Sequence, residues 1–168
     1  MQRSLTKEEL SMASPLLHGP PGHPIHPPLT DVAIGAYTVA TAFFVLGALG
    51  IAEDAMGKAA WLGLLGGLAG SLLSAVTGIA DLLRIDRNSP TFRAGTIHGA
   101  VMATGTVLFA LAAIFQYDGF HDGRVTGAGL VFCLAGFAAL SIGGFLGGGL
   151  VFRHGVRVEP DSRSRDAS

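Results

Sequence analysis

Four apolar runs dominate this chain and leave little else to fold around them. They cover residues 29–52, 59–83, 96–115 and 127–152, and each meets the roughly 20 residues that cross about 30 Å of hydrocarbon as a helix. Four such runs in 168 residues leave no polar elements to cover them. Only 14% of the residues are charged and the mean hydropathy is +0.51, whereas soluble domains carry about a quarter charged residues. The sequence predicts an all-α integral membrane protein, a four-helix bundle.

The rest of the composition narrows the function. A net charge of -1 without a clustered basic face argues against nucleic acid as a partner. Cys133, the single cysteine, lies inside an apolar run, so it forms no internal disulfide and reads as packing. The first thirty residues lack a positive-then-apolar signal pattern, so the first span is expected to act as the insertion signal and remain. Three parts follow: a His/Pro-rich segment over 1–28, a transmembrane domain over 29–153, and a polar tail over 154–168 that reads as disordered. Thr6 and Glu9 have capping-box spacing, consistent with a short interfacial helix or a frayed tail. The Pro, Gly and His of residues 15–28 predict extended chain, with Thr30 available to cap the first helix.

Basic residues set the expected orientation. Arg3, Lys7, Arg84, Arg87, Arg93, Arg153, Arg157, Arg163 and Arg165 fall on one side of a four-span topology, and Lys58 and Arg124 on the other. The positive-inside rule then places both termini in the cytoplasm, in the inner membrane, with Trp61, Tyr117 and Phe120 in an outer aromatic belt. Glycines spaced four apart, at 63 and 67, 66 and 70, 143 and 147, and 144 and 148, predict close helix contacts within the bundle or between copies of the chain.

Ionisable residues gather at the cytoplasmic level. Asp31 opens the first helix, Asp81 closes the second, His98 opens the third and His154 follows the fourth, with His23 and His26 just outside. Spacing places them on faces with small residues, so they are expected to point into the bundle, where charge is tolerated better than in lipid. Bland roles also exist: Asp31 complements a helix dipole, Asp81 pairs with Arg84 or Arg93, and His154 sits at a helix carboxyl end. His98, at a helix amino end, is expected to be neutral, the form that binds a metal or accepts a hydrogen bond. The crowd of Asp118, His121 and Asp122 reads first as a turn. The two hairpins look like a duplicated unit, with Asp31 and Asp81 corresponding to His98 and His154.

In order along the chain, His23-Pro24-Ile25-His26-Pro27, Leu29-Thr30-Asp31, Thr77-Gly78-Ile79-Ala80-Asp81, His98 and the run from Gly148 to Val156 resemble a bacterial predicted membrane domain, domain-of-unknown-function family 2231. The resemblance covers about residues 20–158. Some relatives join this domain to a Rieske iron–sulfur domain, which implies a setting in membrane electron transfer. A Rieske centre needs two cysteines and two histidines, and this chain has one cysteine. Relatives often carry proline where Ala33 stands and asparagine where Met102 stands.

The expected function is therefore a cofactor-holding accessory of membrane electron transfer. A haem b or a metal ion would sit at the cytoplasmic mouth, bound by His98 with His154, or with His26 or His23. Asp31 and Asp81, with Arg84 beside them, would orient the imidazoles. The expected partners are the lipid bilayer and a redox or membrane complex. The alternative is a structural subunit or assembly factor whose His and Asp residues form a satisfied polar network. No paired nucleophile, phosphate loop or tight metal motif is present, so an independent enzyme is not expected.

Overall fold

The computed structural model describes residues 23–158, together with Leu17, Gly19 and Pro20. The capping-box segment and the tail past residue 158 lie outside the described residues. Four helices make up the fold: α1 (His26–Ala48), α2 (Glu53–Leu82), α3 (Pro90–Asp122) and α4 (Gly127–Phe152). All four are long and apolar enough to cross a membrane. At 1.5 Å per residue the 23 residues of α1 span about 35 Å and the 33 of α3 about 50 Å, so the ends of α3 stand clear of the hydrocarbon.

Local chemistry sets the boundaries. Pro27 and Pro28 occupy the first turn of α1, where a missing N–H costs nothing. His26, Pro27 and Pro28 are therefore helical and not extended. Thr30 does not cap α1: it lies a turn inside and donates to the His26 carbonyl at 2.9 Å. Gly50 (φ 78°) and Ala52 (φ 44°) turn the chain through the left-handed region, so α1 ends at Ala48 and α2 begins at Glu53. The Ser89 hydroxyl caps α3 by accepting from the Phe92 N–H at 3.1 Å, and Gly123 (φ 67°) ends it. Thr126 caps α4 in the same way, through the Gly129 N–H at 3.1 Å.

The helices pack as two antiparallel hairpins, α1 with α2 and α3 with α4, joined mainly along α2 and α3. Large apolar side chains such as Leu72, Val76, Ile114, Val131 and Ile142 face outward, into lipid, where an apolar surface carries no penalty. Much of the interior is glycine and alanine. Of the glycines spaced four apart, Gly63 and Gly67 meet α1 and Gly143 and Gly147 meet α3, whereas Gly66 and Gly144 face open space.

The hairpins are duplicates, in a register that the sequence did not suggest. Adding 72 to the buried positions Ala33, Tyr37, Ala40, Thr41, Phe44 and Gly47 of α1 gives Gly105, Phe109, Ala112, Ala113, Gln116 and Gly119, all buried positions of α3. Adding 69 to Ala60, Leu64, Gly67 and Ser74 of α2 gives Gly129, Cys133, Gly136 and Gly143, all buried in α4. The equivalent rings Tyr37 and Phe109 stack on each other at the centre of the bundle, centroids 3.7 Å apart and planes 7° from parallel. Each ring also lies over an equivalent glycine, Tyr37 over Gly67 and Phe109 over Gly136. The equivalence of Asp31 and Asp81 with His98 and His154 is thereby corrected, because in this register Asp31 matches Ala103 and Asp81 matches Leu150.

Adjacent glycines should respond oppositely to one methyl group. A Cβ at Gly67 would stand 2.5 Å from the Tyr37 ring, and a Cβ at Gly66 would meet nothing within 4 Å. Gly67→Ala should cost about 1–3 kcal/mol through overpacking, while Gly66→Ala, helped by helix propensity, should be neutral or slightly stabilising. Thermal unfolding in detergent checks this, and equal responses from the two variants would refute the packing described.

Candidate histidine site

One imidazole from each hairpin reaches across to the facing helix. His26, in the first turn of α1, places Nδ1 at 2.9 Å from the Ser74 carbonyl oxygen of α2. His98, two turns into α3, places Nδ1 at 2.9 Å from the Gly143 carbonyl oxygen of α4. Ser74 and Gly143 are equivalent in the repeat, and so are the glycines four residues on. The His26 ring covers Gly78, where a Cβ would come within 2.7 Å of Cε1, and the His98 ring covers Gly147, where it would come within 3.0 Å. Any side chain at Gly78 or Gly147 would push the imidazole away. The site is thus the same device built twice at one end of the bundle.

The partners also fix the tautomer. A carbonyl oxygen only accepts, so Nδ1 must carry the proton and donate, and in the neutral ring Nε2 keeps its lone pair. Among the described residues neither Nε2 has a hydrogen-bond partner, and both rings are half-buried.

The surroundings differ between the halves. Beside His26, the Thr30 and Ser74 hydroxyls bond at 2.7 Å, and the Thr77 hydroxyl lies 3.2 Å from Nδ1. Beside His98, Met102 takes the place of Thr30, and its sulfur fills the space above Gly143 that a side chain would occupy. A turn deeper, the Ser71 hydroxyl donates to the Tyr37 phenol oxygen at 3.1 Å.

The other sequence candidates lie elsewhere. His154 is exposed in the turn after α4, with Nδ1 at 3.1 Å from the Thr91 hydroxyl. Thr91 precedes His98 by seven residues, about 10 Å along the axis of α3. His23 is exposed before α1, its main-chain N–H bonded to the Pro20 carbonyl at 3.0 Å. Asp31, with Gly35 and Thr38, lies on the outward face of α1, contrary to the expectation that it points inward, because Ala33, Tyr37, Ala40 and Phe44 claim the core face. Near the headgroups a carboxylate can remain outside. Asp81 is ion-paired with Arg157, which the turn at Gly155 (φ 62°) directs back towards α2. Arg84 is exposed at the end of α2. Main-chain carbonyls, then, hold the two imidazoles.

The family model for a predicted membrane protein, DUF2231, matches residues 22–160. The chain belongs to this family. The match spans all four helices and both histidines of the paired site, so the duplicated bundle is the family domain in this chain. No curated protein and no solved structure matches. DUF2231 is a family of unknown function and carries no ligand assignment to the site.

The pair formed by Asp81 and Arg157 should fasten the segment after α4. Asp81→Asn should speed trypsin cleavage after Arg157 several-fold while changing global stability by less than about 1 kcal/mol, as expected of a partly exposed ion pair. Mass spectrometry of timed digests checks this; an unchanged cleavage rate would mean that the pair does not hold the segment.

Proposed function

We propose that this DUF2231 protein holds a cofactor between its two hairpins, with His26 and His98 as ligands through Nε2, and serves membrane electron transfer. The observation that carries the reading is the matched use of Nδ1. Each ring spends its proton on a main-chain carbonyl of the facing helix, which fixes the orientation and leaves Nε2 available, the arrangement common to ligating histidines. Among the described residues no group of three or more His, Cys, Asp or Glu is placed to hold a metal ion. Two imidazoles with no third protein ligand among the described residues would suit haem b, which brings its remaining nitrogen ligands with it. A haem bound there would supply one-electron exchange at its iron. The chain's own residues orient the rings, and beside His26 the hydroxyls of Thr30, Ser74 and Thr77 make its surroundings polar.

The interhelical bonds also support a second reading, in which the imidazoles are clamps that pin α1 to α2 and α3 to α4 in a structural subunit. An oxidised-minus-reduced optical spectrum of the protein purified from its own host separates the two. A haem α-band should appear in the wild type, disappear in His26→Ala and His98→Ala, shift in His98→Met, and survive in His154→Ala. A colourless, well-folded wild type, with the histidine variants altering only its melting temperature, would overturn the cofactor reading.

We further infer that both termini face the cytoplasm across the inner membrane, supported by Arg84, Arg87, Arg93, Arg153 and Arg157 at one end against Lys58 and Arg124 at the other. Cys133 is fully buried, so introduced cysteines can be read cleanly. A membrane-impermeant maleimide should label Asp118→Cys in intact cells, and Asn88→Cys only after lysis. The reverse pattern would invert the topology.

A further inference from the structure

The second hairpin carries a groove that faces lipid. Ile97 of α3 and Phe145, Gly148, Gly149 and Phe152 of α4 line it, Arg153 and His154 close its outer end, and its volume is about 500 Å³. That size falls within the usual range of ligand sites. Its apolar walls are outward-facing, with Phe145 75% and Phe152 89% exposed. From Phe145 to Arg153 it runs about 12 Å along the helix axis.

The repeat shows how this half comes to have the groove. Gly148 and Gly149 stand where the first hairpin has Ile79 and Ala80, and Leu150 stands where it has Asp81. The missing side chains open the floor. No helix contact explains these glycines, because a Cβ at Gly149 would meet nothing within 4 Å and one at Gly148 would meet only Phe152, at 4.0 Å. At the mouth, the guanidinium of Arg153 stays cationic at any ordinary pH, and among the described residues it has no carboxylate partner.

We propose that this groove binds one anionic phospholipid, of the phosphatidylglycerol type, with its phosphate at Arg153 and His154 and an acyl chain along Gly148, Gly149 and Phe145. Charge complementarity selects this occupant. An apolar channel opening to the bilayer accepts any acyl chain, whereas an arginine at headgroup level, with no carboxylate partner among the described residues, favours an anionic lipid over a zwitterionic one. Arg153 offers the phosphate two parallel N–H donors.

The test uses the full chain in detergent, titrated with phosphatidylglycerol or phosphatidylcholine and read by native mass spectrometry and thermal unfolding. Phosphatidylglycerol should give a saturable adduct of one lipid and raise the melting temperature, and phosphatidylcholine should bind at least tenfold more weakly. Gly148→Leu, which fills the floor, and Arg153→Gln, which removes the charge, should each weaken phosphatidylglycerol at least tenfold while melting like the wild type without lipid. Equal binding of the two lipids, or undiminished binding by either variant, would overturn the proposal. So would a dimer that Gly148→Leu abolishes in the absence of any lipid adduct, since a second copy would then be the occupant.

Discussion

Contact between a ring and a bare helix backbone organises this bundle. Lipid is as apolar as leucine, so helices in a membrane gain little from hiding apolar surface and must associate through close packing and interhelical hydrogen bonds. Tyr37 on Gly67, Phe109 on Gly136, His26 on Gly78 and His98 on Gly147 are four instances of one solution. Within each hairpin, the aromatic ring seats the middle of the pair, and the imidazole adds a hydrogen bond to a carbonyl near its end. The stack of Tyr37 on Phe109 then joins the hairpins.

The far end of the bundle is secured differently. Gln116, fully buried, donates through its amide nitrogen to the Arg124 carbonyl at 2.7 Å and accepts from the Thr126 N–H at 2.9 Å. Glu53, the first residue of α2, accepts from the Val125 N–H at 3.1 Å. Trp61 donates to the Ala113 carbonyl at 3.0 Å and packs against Phe120. One end is thus held by helix side chains that bond the loop between α3 and α4 and a neighbouring helix. The end with the histidines is held by ring-to-helix contacts that leave both Nε2 atoms without a hydrogen-bond partner among the described residues.

Much of the fold was legible in the sequence because the bilayer sets a length and an apolarity that few other structures meet. The four spans were readable on that ground, and α4 begins and ends where expected. Helix ends were less readable, because Pro27 and Pro28 look like chain breakers until the first-turn exemption is considered. The site was readable in part. His98, His26 and the glycine faces at 78 and 147 were visible as types and spacings, but their pairing was not. Asp31 misled by sharing a stripe with Gly35, which suggests a helix contact although that stripe faces outward. The signal that would have resolved the register was Ile25-His26 against Ile97-His98, with Tyr37 against Phe109 at the same separation of 72. Aspartates drew attention towards a different alignment of the halves.

The duplication has a consequence for the chemistry of the paired rings. Two hairpins that cross the membrane in the same sense are equivalent to a symmetric dimer whose copies have been joined end to end, with the axis along the membrane normal. In an unjoined dimer every substitution appears twice, so the two imidazoles would have to share one environment. Fusion lifts that requirement, and the halves have used it: one ring has threonine and serine hydroxyls beside it, and its counterpart a thioether. The two histidines are therefore inequivalent by construction, one set among polar groups and the other beside a polarisable one.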